Sequence, residues 1–285
     1  MERLQAALEI ARKKRRATEP ATSPESATGP IETAHHVVKG GGTDSWSDMA
    51  TFLPDPRLLN ENRIVTLKSN SGYPSFDMLQ TKVLLQMAKN DWTRLAITSP
   101  TVGCGKTTVV SNLAIGFLRQ TDKRVIVLEM DMRRPMMSSI LGIEADDSVA
   151  DVLEDRTPLA HQAVRLGTNV ALSVNPGPVR NPANLFMKEK TAQVLDRIEE
   201  EYAPDLMIFD MPPMLVNDDA TAFLKNVDCA LIVAGSGKST VSHVDSCEKE
   251  IAQYTNVLGT VLNMCDSSDT TYGEQYGNAP AQEAV

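Results

Sequence analysis

The sequence predicts an α/β protein: a mostly parallel sheet with helices on both faces, and flexible N-terminal and C-terminal extensions. Three observations carry this. Between about Ser75 and Asp266, short and nearly continuous apolar runs alternate with stretches of helical periodicity, the pattern of strands buried on both faces and joined by right-handed crossovers. A glycine-bearing turn, SPTVGCGKTT at residues 99–108, separates the first such run from a helical stretch. Outside that block the composition turns small and polar. At 285 residues the chain suffices for one large domain with extensions, or two small ones.

Residues 1–17 carry Leu4, Ala7, Leu8 and Ala11 at helical spacing, followed by Lys13, Lys14, Arg15 and Arg16, so residues 2–17 are predicted to form a short amphipathic helix. Alone in water it is marginal. It reads either as a solvated terminus or as a docking helix for a partner or an anionic membrane surface. Residues 18–73, including ATEPATSPESATGP and KGGGT, are too poor in apolar side chains to offset the entropy of ordering and are predicted to be a disordered linker. The domain follows over 74–268. It opens with a helix over 75–90, Ser75 as its cap and Phe76, Leu79, Val83 and Met87 on one face. LAITSP (95–100) is a strand, TTVVSNLAIGFLRQ (107–120) a helix and RVIVLEMD (124–131) a strand, before a loop-rich stretch. NVALSV (169–174), a helix over 184–202, LMIFDMPP (206–213), CALIVAG (229–235), a helix over 241–254 and GTVLNMCD (259–266) complete the series. Residues 269–285 are predicted to be a flexible tyrosine-containing tail.

The net charge of -9 and pI near 5.0 argue against a nucleic-acid binder, which needs a broad basic surface. Cys104, Cys229, Cys247 and Cys265 are scattered without a C-x-x-C pair, among only four histidines. That spacing offers neither a zinc site nor a disulfide framework and suits a reduced cytoplasmic protein. Nothing approaches 18 consecutive apolar residues, and the basic cluster at the N-terminus follows the apolar positions, the reverse of a secretory signal. The chain is expected to be soluble.

SPTVGCGKTT ends like a phosphate-binding loop, G-x-x-x-x-G-K-[ST], but Pro100 holds the place of the first glycine. Gly103 and Gly105 let backbone amides turn inward around phosphate oxygens, beside the positive end of the following helix. The amides nearest the phosphates belong to residues 103–108, namely Gly103, Cys104, Gly105, Lys106, Thr107 and Thr108, so the missing glycine need not disable the cradle. Lys106 would reach the β- and γ-phosphates and the Thr107 hydroxyl would ligate Mg²⁺. In VIVLEMDMRRP (125–135), alternation puts Glu129 and Asp131 on the same side of a strand end, where they could hold magnesium water or accept a proton. Helix capping, or pairing with Arg133 and Arg134, is the other reading. LMIFDMPP closes on Asp210 in the manner of a Walker B strand, a magnesium-binding position. GSGKST at 235–240 looks like a second phosphate loop, but Ile232 stands in the leading-glycine position, so Lys238 reads as a loop residue.

Together these residues resemble the bacterial tyrosine kinases (BY-kinases), cytoplasmic ATPase-like regulators of capsule and exopolysaccharide production. The resemblance covers roughly residues 75–268: the phosphate loop without its first glycine, EMDMRRP, NPGPVRNPANLF (175–186) and FDMPP. Septum-site, chromosome-partitioning and iron–sulfur scaffold ATPases carry a signature lysine in K-G-G-x-G-K-[ST]; Thr101 and Val102 occupy the K-G positions here. The resemblance implies a P-loop NTPase fold and ATP-dependent autophosphorylation on tail tyrosines, with ATP and Mg²⁺ as cofactors. By position, Lys106 and Thr107 bind phosphate and metal, Asp131 and Asp210 assist the metal, and Glu129 stands where the family has an aspartate as general base. Arg133 falls within the arginine pair of the second motif, and Asn263 matches an adenine-side asparagine. Tyr272 and Tyr276 are the tail's candidate phosphorylation sites. Where relatives show E-x-x-R-x-x-R before the loop, this chain has Pro74, Asp77 and Gln80.

The implied partner is a membrane polysaccharide co-polymerase or chain-length regulator subunit that recruits the protein to the inner face of the cell membrane. A homo-oligomer and a peripheral membrane contact through residues 2–17 are compatible with this; nucleic acid is not expected. The sequence supports an autokinase of polysaccharide polymerisation and export. Glu129, the sparse tyrosines and the missing arginines leave open an ATP-binding assembly switch.

Overall fold

A computed structural model describes residues 46–67 and 74–265. Residues 1–45, and with them the predicted helix over 2–17, lie outside the described residues; His35–Val285 holds the fold. The strands are β1 (Ala50–Thr51), β2 (Arg94–Thr98), β3 (Val125–Glu129), β4 (Val164–Leu166), β5 (Val170–Ser173), β6 (Leu206–Asp210), β7 (Cys229–Gly235) and β8 (Asn256–Asn263). They form one sheet in the order β1-β4-β5-β3-β6-β2-β7-β8, parallel throughout except where β4 meets β5. The expected P-loop NTPase architecture, mostly parallel with helices on both faces, is what the chain adopts.

Why the strand runs read as continuously apolar is visible in how they divide. Successive side chains of a strand point to opposite faces, and both faces here are covered. In β3, Ile126 and Leu128 enter one core while Val125 and Val127 enter the other; in β6, Met207 and Phe209 oppose Leu206 and Ile208. The first core is closed by α5 (Val149–Leu153), α6 (Leu159–Gln162), α7 (Pro182–Phe186), α8 (Glu189–Tyr202), α9 (Asp219–Phe223) and α10 (Val241–Ile251). The second is closed by α1 (Pro56–Glu61), α2 (Pro74–Asn90), α3 (Lys106–Phe117) and α4 (Met137–Leu141). Helix α3 is buried around most of its circumference, which its Val109, Val110, Leu113, Ala114, Ile115 and Phe117 permit.

Four expectations need correction. Residues 46–67 are part of the fold and not of a disordered linker. Asp55 caps α1 by accepting from the Arg57 amide at 2.8 Å, Pro56 starts the helix, and β1 pairs in parallel with β4. Trp46, Met49, Phe52, Leu59 and Ile64 are buried. Their polar surroundings diluted the apolar signal, and their partners are other parts of the domain: Trp46 Nε1 donates to the Thr168 carbonyl at 2.9 Å, and Thr66 Oγ1 to Asn112 O at 2.8 Å. Helix α2 begins at Pro74, so Ser75 lies inside its first turn instead of capping it. The helix expected over 184–202 is two, α7 and α8, because Lys188 is extended (φ −64°, ψ 139°) and the Leu185 carbonyl accepts from both the Lys188 amide at 3.1 Å and Thr191 Oγ1 at 2.6 Å. The loop-rich stretch after β3 holds α4, α5, α6 and β4, each too short to express a period.

Candidate functional site

The carboxyl ends of β3, β6 and β2 lie side by side, with Glu129 opposite Asp210 and Asp210 opposite Ile97. This is where ligands sit in open α/β sheets. The chain leaves β2 through Ser99–Gly105 and enters α3 at Lys106. Gly103 (φ +76°) and Gly105 (φ +81°) take left-handed conformations, and a Cβ on Gly105 would come within 2.4 Å of Asn263 Nδ2. Both positions therefore require glycine, and the cradle forms without one at position 100.

Lys106 is buried, its ammonium 2.7 Å from Asp131 Oδ2 and 4.0 Å from Asp210 Oδ1. Burial works against its charge, but the carboxylates of Asp210 and Asp131 outweigh burial and hold its pKa above the ordinary value. Asp210 is fully buried and neither carboxyl oxygen has a hydrogen bond of normal geometry. Burial pushes its pKa up to about 7, against the opposing pull of Lys106; Glu129 adds to the rise and the Thr107 hydroxyl works against it. An acceptor carboxylate buried beside a hydroxyl with two oxygens unused fits a divalent cation. Among the described residues no three His, Cys, Asp or Glu side chains form a metal cluster. Mg²⁺ is held by one or two carboxylates with the remaining ligands from phosphate and water, a demand that Asp210 and Asp131 can meet.

Glu129 and Asp131 diverge, contrary to the alternation argument, because β3 ends at Glu129 and the Met130 and Asp131 amides both donate to the Asp210 carbonyl at 2.9 Å. Asp131 turns to Lys106. The Glu129 carboxylate turns to the backbone: Oε1 accepts from the Met136 and Met137 amides at 2.6 and 2.7 Å, and Oε2 from the Asn175 amide at 2.8 Å. Burial raises its pKa while those hydrogen bonds lower it. Both oxygens are thus occupied in anchoring α4 and the segment after β5, which removes Glu129 from the position of a free general base. Asn175, which sequence reasoning did not single out, ties this together by donating to the Glu129 carbonyl at 2.8 Å and accepting from the Val149 amide at 3.0 Å.

An open cleft of about 410 Å³ lies over the loop, lined by residues 102–108, Asp131, Arg133 and Arg134 among others. Its size is that of a small-molecule site. Arg133 forms an ion pair with Asp219, whose Oδ1 also accepts from the Ala183 amide at 3.1 Å, joining the second motif to α7 and α9. Arg134 also lines the cleft, its backbone amide donating to Asp131 Oδ1 at 3.3 Å; the doubled arginine of EMDMRRP was its only signal in sequence. Asn263 reaches the loop, its Nδ2 donating to the Cys104 carbonyl at 3.0 Å. The structure thus gathers Gly103, Cys104, Gly105, Lys106, Thr107, Thr108, Asp131, Arg133, Asp210 and Asn263, with Glu129 behind them. Tyr272 and Tyr276 lie outside the described residues.

Residues 92–278 match the family model ParA: NUBPL iron-transfer P-loop NTPase. The match is to a model of the wider P-loop group, although Thr101 and Val102 stand where the resemblance would place a signature lysine and glycine. Tyrosine-protein kinase etk of Escherichia coli (strain K12) is 28% identical over 197 residues, 68% of this chain but only 27% of the relative. Tyrosine-protein kinase YwqD of Bacillus subtilis (strain 168) is 28% identical over 214 residues, 74% of this chain and 84% of the relative. The solved kinase domain of Escherichia coli tyrosine kinase ETK shares the fold with a TM-score of 0.62 at 23% identity, covering 83% of this chain and 87% of that one. With its P-loop, its paired aspartates and these matches, the chain belongs to the ParA family of P-loop NTPases and is similar, within it, to the bacterial tyrosine kinases.

Proposed function

We propose that the protein is an ATP-dependent protein-tyrosine autokinase that regulates exopolysaccharide or capsule polymerisation and export. The observation that carries this is the buried Lys106 held between Asp131 and Asp210, the latter with no hydrogen bond of normal geometry. The amides of residues 103–108 and Lys106 bind the phosphates of ATP, with Arg133 at the cleft edge and Asn263 on the base side of the loop. Thr107, Asp131 and Asp210 are the residues that would hold Mg²⁺, which would neutralise charge on the phosphates. A tail tyrosine, Tyr272 or Tyr276, supplies the phenol oxygen that bonds to the γ-phosphorus as the bond to the ADP oxygen breaks. The phenol proton leaves to water in the open cleft, since Glu129 is engaged by backbone amides and Asp131 by Lys106.

The protein works in the cytoplasm, recruited to the inner face of the membrane by a polysaccharide co-polymerase subunit. Residues 2–17 assist as a peripheral contact. Among the described residues no helix is long and apolar enough to cross a membrane. The locked Glu129 favours one other reading, a nucleotide-dependent assembly switch of the export complex without useful phosphotransfer. Incubation of the purified chain with ATP and Mg²⁺, followed by mass spectrometry of the tail, separates the two. Phosphate on Tyr272 or Tyr276 that is absent in Lys106→Ala supports the kinase. Nucleotide binding without phosphotyrosine supports the switch.

A further inference from the structure

The GSGKST stretch, which the proposed chemistry does not use, lies against the P-loop. Lys238 Nζ donates to the Gly103 carbonyl at 3.0 Å. The contact is close: a Cβ on Gly103 would stand 3.1 Å from that ammonium, and one on Gly235 would meet the Cys104 Cα at 3.2 Å. Ser239 Oγ is 3.4 Å from Cys104 Sγ. From the end of β8, Asn263 Nδ2 holds the next carbonyl, that of Cys104, at 3.0 Å. Two consecutive P-loop carbonyls are therefore gripped by side chains that follow β7 and close β8.

A trans peptide is planar, with its C=O and N–H pointing in opposite directions, and no described peptide is cis. Drawing the Gly103 carbonyl toward Lys238 turns the Cys104 N–H to the opposite side. Drawing the Cys104 carbonyl toward Asn263 does the same to the Gly105 N–H. Those two amides are among the donors a phosphate needs at this loop. Gly103 and Gly105 would otherwise leave both peptide planes free to rotate, and fixing them before the ligand arrives removes an ordering cost from binding.

We propose that Lys238, together with Asn263, is a positioning residue for nucleotide phosphates. Its ammonium holds the Gly103–Cys104 peptide plane, and Asn263 the next one, with their amides turned toward the phosphate oxygens; Lys238 acts through the loop without touching phosphate itself. This rests on the reading of the P-loop as a nucleotide site.

The test uses the full chain with ADP and Mg²⁺, titrated calorimetrically, and ¹⁵N–¹H spectra of the Cys104 and Gly105 amides. Lys238→Met keeps the stem and removes the donors, Lys238→Arg keeps a charged donor, and Lys106→Ala is the control. Lys238 is exposed, so Lys238→Met should fold with an unchanged unfolding midpoint. It should bind ADP about 3- to 10-fold more weakly, the effect of one lost solvent-exposed hydrogen bond. ADP should move its Cys104 and Gly105 amide resonances less than in the wild type, and Lys238→Arg should recover most of both effects. Wild-type affinity in Lys238→Met, with binding lost in Lys106→Ala, would overturn the proposal while leaving the nucleotide site standing. Weakened binding with wild-type amide shifts would also overturn it, since the loop would then be unchanged. Absence of ADP binding in the wild type would overturn the nucleotide reading itself.

Discussion

Replacing Asp210 with asparagine separates the cost of burying its charge from everything else the fold does. The carboxyl is fully buried, has no hydrogen bond of normal geometry, and has its pKa pushed up to about 7 from an ordinary 3.8. A carboxyl whose folded pKa lies above its unfolded one binds more protons in the folded state between those two values, so its contribution to stability falls as pH rises through that window. A displacement of about 3 pH units amounts to about 4 kcal/mol once pH exceeds 7, of which about 2–3 kcal/mol develops between pH 5 and pH 8. Lys106 keeps its proton throughout, because its pKa is held above 10.5, and adds nothing to the slope. Asparagine does not titrate. In nucleotide-free buffer with EDTA, urea unfolding should therefore show Asp210→Asn gaining on the wild type by about 2–3 kcal/mol from pH 5 to pH 8. Mg²⁺ and ATP should reverse the order at pH 8, since the wild type alone then gains binding energy. Parallel stability curves across that range would refute the reasoning: Asp210 would then be ionised throughout, its buried charge compensated within the fold.

Three further outcomes are expected. Glu129→Gln turns an amide donor toward the Met136, Met137 or Asn175 amides and should cost about 1–3 kcal/mol in urea unfolding, while leaving ADP affinity within about twofold if Glu129 anchors α4 without touching nucleotide. Leu59→Ala should destabilise the domain by about 2–4 kcal/mol; a neutral result would mean residues 46–67 are the linker that composition suggested. Gly105→Ala should abolish ADP binding in calorimetry and lower stability by at least about 1 kcal/mol, from the positive φ together with the clash against Asn263.

What the sequence by itself determined is what local physics governs. Apolar runs such as VIVLE and LMIFD bury both faces of a strand wherever they lie, so β3 and β6 and the parallel architecture were legible. The turn GCGKTT carries its own conformational signal in two glycines and a lysine at the start of a helix, and Asp210 follows its strand directly. What only the tertiary structure decided depends on groups distant in sequence. Whether residues 46–67 order depends on Thr168, Asn112 and β4, none of which the local composition reports. Where a carboxylate points beyond the end of a strand depends on which donors reach it, and Asn175 with the amides of 136 and 137 claim Glu129. Lys238 read as an ordinary loop lysine because its role lies in a contact spanning 135 residues of chain to Gly103. Propensity and alternation act over a few residues, whereas the competition among buried donors and acceptors is settled only when the sheet brings β2, β3, β6, β7 and β8 together.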